Sequence, residues 1–379
     1  MPTPIGIGLL GYGSIGKIHA LAYRSIPGLY PRLPRYTLAA VCTRSGETAA
    51  AAARDGGFAR AYADVPSLLA DPEVTVVDVV LPNQAHREAI LLALAAGKHV
   101  YCEKPLALSG TEAREIAAAA ASAALRPHVR FGMTFNYRFV PALARARAII
   151  QAGGLGEVYG FHSEYLHGGY QDASRPLTWR MRFDTSGGGA IMDLGSHVID
   201  LIRWLLGDVA EAFAETRTYI PRRPVEKGSS ELGSVTVDDA AWTQFRMASG
   251  AVGSLIVSRF ATGSADDLRL RIEGSKGALR FDLMDANWLY YYDATRPASE
   301  AGWVRLETIS SFQGAAVPPA RSILGWDRLH AENQYRFLKA VAENQDPSPG
   351  LADGVANHLV VDALYASAKT GRWERVASL

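Results

Sequence analysis

The stretch GGGAIMDLGSHVID, residues 187–200, sets a carboxylate, Asp193, and an imidazole, His197, four positions apart in an otherwise apolar run. On an α-helix that spacing is about one turn, so both side chains leave the same face. Such a pair suits acid–base chemistry. An imidazole titrates close to neutral pH and serves as general base or acid. A carboxylate one turn before it can orient the ring and support its charged form. Gly187, Gly188 and Gly189 lead into the run and are expected to let another molecule approach the backbone. The competing reading is an ordinary ion pair on a helix face. A metal face built from Asp193, His197 and Asp200 lacks a cysteine or a second histidine at ligand spacing, so no metal is expected.

A second set of polar groups falls where strands should end. The short apolar run Ile5–Leu10 leads into GYGSIG, with Gly11, Gly13 and Gly16 in G-x-G-x-x-G spacing, and then into a helical stretch from Ile15 to Ser25. Wedged between a first strand and a first helix, this pattern reads as a dinucleotide-binding turn. Gly11 permits the tight turn, Gly13 lets the backbone approach a pyrophosphate, and Gly16 lets helix and strand pack closely. Tyr12, Ser14 and Ile15 complete the loop, and the helix start offers its N–H groups to phosphate.

Strand and helix continue to alternate. Tyr36–Cys42 reads as a second strand, and Thr75–Leu81 (TVVDVVL) as a near-continuous β-branched strand covered on both faces. Ala85–Ala96 is helical, Lys98–Cys102 a further strand, and helix 109–125 with strand His128–Met133 closes the unit. Such alternation implies a doubly wound parallel sheet with ligands at the carboxyl ends of its strands. Those ends carry Leu81-Pro82-Asn83 with His86, and Glu103-Lys104-Pro105. Glu103 reads as an anchor for the turn before Lys104. The second strand ends in Thr43-Arg44-Ser45, with no acid before Glu47. An acid there favours NAD, whereas a hydroxyl–arginine–hydroxyl trio can accept the 2′-phosphate of NADP. The lean is therefore to NADP, or to use of both.

From about residue 155 the period changes to two. Leu268, Leu270 and Ile272 share one face, a turn follows at 274–277, and Leu279, Phe281 and Leu283 return inward. A second hairpin runs Ala240–Met247 to Ala251–Phe260, helix 188–206 covers one face, and helices near 327–343 and 353–369 close the chain. Residues 221–234 and 310–325 read as polar excursions. The expected fold is α/β: a Rossmann domain over 1–133, then an α+β domain over 134–379 with a large open, mostly antiparallel sheet. That sheet should pair subunits into a homodimer or homotetramer, since large bare sheets are unusual.

Bulk properties narrow the function. The chain has 379 residues, 48% hydrophobic and 20% charged, with formal net charge +1. That is enough for two cores, and it offers no electrostatic footprint for nucleic acid or a membrane surface. Two cysteines, Cys42 and Cys102, lie far apart with no disulfide framework or metal-type spacing. No apolar run approaches the ~20 residues of a membrane span, and the cytoplasm is the expected address.

GYGSIGKIHA, LPNQAH, EKPLA, GGGAIMDLGSHVIDLIRWLLGD and DGVANHLVVDALYASAKTG follow one another in an order that resembles the Gfo/Idh/MocA oxidoreductases, the group of glucose–fructose oxidoreductase and inositol dehydrogenase. The likeness spans nearly the whole chain. It implies NAD(P) at the glycine loop and a sugar, sugar derivative or cyclitol as the small-molecule substrate. It implies that Lys104 is the catalytic lysine, joined to Pro105 by a cis bond, and that Asp193 and His197 are its acid and histidine partners. Asn136 and Arg138, on either side of Tyr137, then fall with the substrate site, and Trp179 and Arg180 with the cofactor. Oxidising a secondary alcohol requires a base for its proton and a cation for the developing alkoxide. His197 fits the first role, Lys104 the second, and Asp193 orients His197 or binds a substrate hydroxyl; Lys104 and His197 could also exchange roles. Two other activities share the resemblance: a glycosidase that retains its NAD, and a non-enzymatic sensor of dinucleotide or sugar.

Overall fold

The computed structural model describes residues 5–32, 35–122, 129–308, 312, 314–317, 323 and 325–378. The chain divides into two compact units, Met1–Asn136 with Ser310–Val355, and Tyr137–Ile309 with Ala356–Leu379.

The first unit runs β1 (Ile5–Leu10), α1 (Ser14–Leu29), β2 (Tyr36–Cys42), α2 (Gly46–Gly56), β3 (Arg60–Tyr62), α3 (Val65–Ala70), β4 (Val76–Val79), α4 (His86–Ala95), β5 (His99–Cys102), α5 (Gly110–Ala120) and β6 (Phe131–Met133). All six strands are parallel, in the order β3-β2-β1-β4-β5-β6. The order reverses beside β1, which pairs with both β2 and β4, and ligands of such sheets bind beyond the strand ends at that point. β1 and β4 are buried throughout, as expected for strands covered on both faces. β4 is nevertheless not uniformly apolar: Asp78 sits in its middle with no exposure. The expected helix 109–125 ends at Ala120; its residues 123–125, and His128 at the start of the expected strand, lie outside the described residues.

In the second unit, α6 (Pro141–Gln151), β7 (Val158–Leu166), α7 (Phe183–Ser186) and α8 (Ser196–Leu206) precede β8 (Val209–Arg217), β9 (Arg222–Pro224), β10 (Leu232–Ser234), β11 (Ala240–Met247), β12 (Val252–Ser258), β13 (Asp267–Gly274), β14 (Gly277–Asp282), β15 (Trp288–Asp293) and β16 (Trp303–Glu307). The closing elements are α9 (Trp326–Ala342), α10 (Leu351–Thr370) and β17 (Glu374–Arg375). Nine strands form one sheet, β16-β15-β14-β13-β7-β12-β11-β8-β17, antiparallel except where β7 meets β12. The alternation read from sequence sets its register. Leu270 faces Phe281 and Ile272 faces Leu279 across the hairpin, and all four are buried. Leu283 departs from this pattern, because a short 3₁₀ turn begins there. The buried face includes Phe161, Phe245, Leu255 and Val257, and the other face exposes Trp242 and Val252.

Three elements differ from the sequence expectation. The sequence suggests a single boundary, at 133/134, yet residues 310–355 belong with the first unit. Their helix α9 buries Ala331, Phe337 and Leu338 in one cluster with Ile5, Ile7, Tyr23 and Ile26 of β1 and α1. Residues 221–234 are not a bare excursion: β9 and β10 pair across them, and Arg223 lies buried, donating to the carbonyls of Tyr170 and Asp172. The expected helix 188–206 is α-helical only from Ser196, because Ile191–Gly195 form a π turn. Of the expected loop 310–325, residues 310, 311, 313, 318–322 and 324 lie outside the described residues. No helix among those described is long and apolar enough to cross a membrane.

Candidate active site

Candidate residues occur in both units. In the first, the glycine loop follows β1. Gly11 has φ +95°, and a Cβ on it would sit 2.5 Å from the carbonyl oxygen of Val80, so the turn admits no side chain there. A Cβ on Gly16 would lie 2.4 Å from the carbonyl oxygen of Gly11, which is the close helix–strand approach expected of it. A Cβ on Gly13 would meet nothing within 4 Å. Gly13 is also the N-cap of α1 and supplies no side-chain cap. Its conformation does not require glycine, and the open space fits a residue kept small so that a ligand can approach. The loop therefore fits a dinucleotide pyrophosphate, with Tyr12, Ser14 and Ile15 around it.

The loop after the second strand is organised by its hydroxyls. Ser45 caps α2, its Oγ accepting from the N–H of Thr48 at 3.2 Å, and the Thr43 hydroxyl lies 2.6 Å from that of Thr48. Both hydroxyls thus serve the helix start, and Arg44 is exposed. The loops after β4 and β5 are tied together by His86, whose Nε2 lies 2.8 Å from the carbonyl oxygen of Leu81 and whose Nδ1 lies 2.8 Å from that of Pro105. The sequence placed His86 among the cofactor-binding residues. With both ring nitrogens against backbone carbonyls, it holds the two loops together.

Lys104 is half-buried and joined to Pro105 by a cis bond. Glu103 anchors it: Oε2 accepts from the Lys104 N–H at 3.1 Å, while Oε1 lies 3.1 Å from His19 Nε2. His19 Nδ1 in turn lies 2.9 Å from Asp78 Oδ2. Burial works to lower the His19 pKa, but Asp78 and then Glu103 overcome it and hold it at about 10. Burial, and the charge of His19, push His330 down to about 3. His19, Glu103 and His330 bring atoms of ligating type within 4.8 Å of one another. Since both His19 nitrogens face carboxylates, the geometry is that of an imidazolium between two anions. Asn136 Nδ2 lies 3.2 Å from His330 Nε2, and Asn136 is buried. Its amide therefore serves the α9 contact, where the resemblance implied a substrate role.

In the second unit the chemistry-bearing run is α8 with the π turn before it. From Ala190 to Asp200, Asp193 and His197 are the two positions that are not buried. The pair therefore does open to one side, although through a π turn, which often marks functional positions. Asp193 Oδ2 accepts from Arg259 Nη2 at 2.9 Å, and Arg259 is buried at the end of β12. His197 packs its ring 4.8 Å from Tyr137 and 6.1 Å from Tyr165. The Tyr137 and Tyr165 hydroxyls are 2.8 Å apart, and Tyr165 donates to Asp266 Oδ1, which also lies 2.9 Å from His167 Nε2. Arg138 is buried and holds Asp200 through two bonds, of 2.8 and 2.5 Å. It ties α8 down through Asp200, where the resemblance implied a substrate role. Trp179 and Arg180 form a short 3₁₀ turn with the guanidinium 4.4 Å above the indole.

Two of the three glycines of 187–189 are required by the protein's own packing. A Cβ on Gly189 would lie 1.8 Å from the carbonyl oxygen of Asp238, and one on Gly188 would lie 2.1 Å from the Tyr365 hydroxyl. The molecule that approaches this backbone is the protein itself. Asp238 accepts from the N–H groups of Gly189 and Ile191 at 2.9 Å, satisfying the start of the π turn.

Four polar residues escaped the sequence reading: His19, Asp78, Arg259 and Asp238. Asp78 interrupts a β-branched run, and Arg259 ends an apolar strand, so each carried a signal. His19 lies on the apolar face of α1 and looks like an ordinary core residue.

Comparison with known proteins agrees with this architecture. Residues 5–131 match the oxidoreductase family with an NAD-binding Rossmann fold, and residues 143–280 match the GFO/IDH/MocA C-terminal domain. A levoglucosan dehydrogenase of Pseudarthrobacter phenanthrenivorans is 34% identical over 99% of both chains. An inositol 2-dehydrogenase of Rhizobium meliloti is 26% identical over 98% of this chain and 99% of its own. A levoglucosan dehydrogenase solved with NADH and levoglucosan superposes with TM-score 0.93, at 33% identity, over 99% of this chain and 100% of that one. With the glycine loop, the Glu103–Lys104 turn and the Asp193/His197 face in place, the chain belongs to the Gfo/Idh/MocA family of oxidoreductases.

Proposed function

We propose that the protein oxidises a secondary alcohol of a sugar, sugar derivative or cyclitol, and that Lys104, Asp193 and His197 serve that one reaction. The observation that carries this reading is the opening of Asp193 and His197, alone among buried neighbours, in a chain similar over its full length to a levoglucosan dehydrogenase. Anhydrosugars are therefore the first substrates to test.

A bound nicotinamide supplies the hydride acceptor. The chain handles the rest. His197 takes the alcohol proton, and the Lys104 ammonium stabilises the oxygen as charge appears. Asp193, held by Arg259, binds a substrate hydroxyl or orients His197. Trp179 and Arg180 contribute to the cofactor side.

NAD serves as cofactor, and Arg44, exposed at the end of β2, lets NADP be accepted as well. The bare sheet face pairs subunits into a dimer or tetramer. Two buried free thiols, Cys42 and Cys102, suit a cytoplasmic address.

The test is a spectrophotometric screen of anhydrosugars, hexoses, glycosides and inositols with each dinucleotide. Stoichiometric NAD(P)H formation is expected. Cleavage of a glycosidic bond without net reduction would instead indicate a glycosidase, and binding without turnover a sensor. Lys104→Ala should lower kcat at least about 100-fold while NADH still binds; undiminished turnover refutes the assignment.

A further inference from the structure

The buried group His19, Asp78 and Glu103 is used by no step above, although it ends on Lys104. We propose that His19 is a positioning residue for Lys104: its ring, clamped between Asp78 and Glu103, fixes the Glu103 carboxylate on the Lys104 backbone N–H and so sets where the Lys104 ammonium stands. The inference rests on the role proposed for Lys104.

The geometry is closed at each joint. Glu103 has one oxygen on His19 Nε2 and the other on the Lys104 N–H, both at 3.1 Å, so rotation about its carboxyl bond would break one contact or the other. His19 cannot turn without leaving Asp78, 2.9 Å from its Nδ1. The side chains of His19 and Asp78 are fully shielded from solvent. Charges alternate along the line: Asp78 negative, His19 positive, Glu103 negative, Lys104 positive.

Every element packed against His19 supports this arrangement. β4 supplies Asp78, and the end of β5 supplies Glu103 and then Lys104. Tyr101 of β5 places its ring 5.8 Å from that of His19. α9 places His330, held neutral, with its ring 5.5 Å away, and Gln334 Nε2 3.4 Å from the His19 carbonyl oxygen. On α1 itself, Tyr23 faces Asp78, and its hydroxyl is held protonated by burial and by that carboxylate. An apolar residue would fill the volume of His19 without the desolvation cost of three buried ionisable groups. Beyond packing, the group holds the backbone N–H of Lys104.

Two variants test the inference. In His19→Asn, kcat should fall about 10- to 100-fold, as for other buried partners that orient a reactive ligand, with KM for the dinucleotide and NADH affinity unchanged. Asp78→Asn keeps the shape and removes one anion. The sign follows from linkage: His19 is charged below its pKa and loses its charge as pH rises through it. In the wild type that loss occurs at about 10; in Asp78→Asn it moves down toward the ordinary 6.5. kcat should then acquire a descending limb on the alkaline side that His19→Asn lacks. A purely structural role predicts a loss that is the same at every pH. If His19→Asn does not fold, the Asp78→Asn profile decides alone.

The inference is overturned by a folded His19→Asn with wild-type kcat, or by a pH-independent loss in Asp78→Asn. It is also overturned by a stoichiometric divalent metal that survives dialysis in the wild type and is absent from His19→Asn. If Lys104→Ala is inactive and His19→Asn unimpaired, the inference alone falls. If Lys104→Ala keeps full turnover, the proposed reaction falls with it.

Discussion

Gly189→Ala distinguishes two reasons for the glycines before the π turn. If they admit a ligand, the variant should bind ligand poorly and melt normally; if they admit the protein's own backbone, it should melt early. The added Cβ would stand 1.8 Å from the carbonyl oxygen of Asp238, about 1.6 Å short of the 3.4 Å at which ordinary contact begins. A displacement of that size removes hydrogen bonds from range. At stake are Gly189 N–H to Asp238 Oδ1 and to the Tyr365 hydroxyl, both at 2.9 Å. Ala190 N–H to the Asp238 carbonyl, at 3.0 Å, and Ile191 N–H to Asp238 Oδ2, at 2.9 Å, are at stake as well. Bonds to a charged group contribute about 1.5–3 kcal/mol each and neutral ones about 1 kcal/mol. With partial relaxation, the net cost is about 4 kcal/mol. In a unit of this size each kcal/mol lowers the midpoint by about 2–4 °C, so Tm should fall by about 8–16 °C. The assay is thermal unfolding by circular dichroism, beside NADH titration by fluorescence. Gly13→Ala is the contrast, because its Cβ meets nothing within 4 Å. It should melt within about 2 °C of wild type and lose at least about tenfold in NADH affinity, about 1.4 kcal/mol. A Gly189→Ala protein with unchanged Tm and weakened ligand binding would refute the packing argument.

Arg44→Ala should weaken NADP more than NAD, since the guanidinium is the basic group at the end of β2; equal losses in both dissociation constants would remove the reason for expecting NADP use. Sedimentation at micromolar concentration should give a dimer or tetramer, and Trp242→Glu, on the exposed sheet face, should shift it toward monomer. A monomeric wild type would contradict the assignment of that face.

The parts of the molecule legible in the sequence are those whose cause is local. Ile5–Leu10 and Tyr36–Cys42 appear in the structure with the bounds their apolar runs imply. The period of two in 268–283 sets the register of a hairpin, because a slip of one residue would turn its apolar face to water. Gly11 and Gly16 are constrained by atoms of their own turn or of the adjoining strand end, so spacing sufficed to assign them. Where several spatial outcomes share one sequence signal, spacing failed. A G-G-G run marks close approach without naming the neighbour, and here it is Asp238, 49 residues on, with Tyr365, 176 residues on. An arginine beside an expected site can bind substrate or lock a helix, and only folding showed that Arg138 is paired with Asp200.

Sequence alone was thus sufficient for the α/β class, the nucleotide turn, the sheet register and the candidacy of Lys104, Asp193 and His197. These follow from short-range sterics and burial period, which neighbours along the chain dictate. Tertiary structure alone decided that an acid inside TVVDVVL meets a histidine 59 residues earlier, and that this histidine reaches a carboxylate 84 residues later. It also returned α9 to the first unit. Buried charges are tolerated only when folding brings their partners from distant segments, and no local pattern records which segments those are.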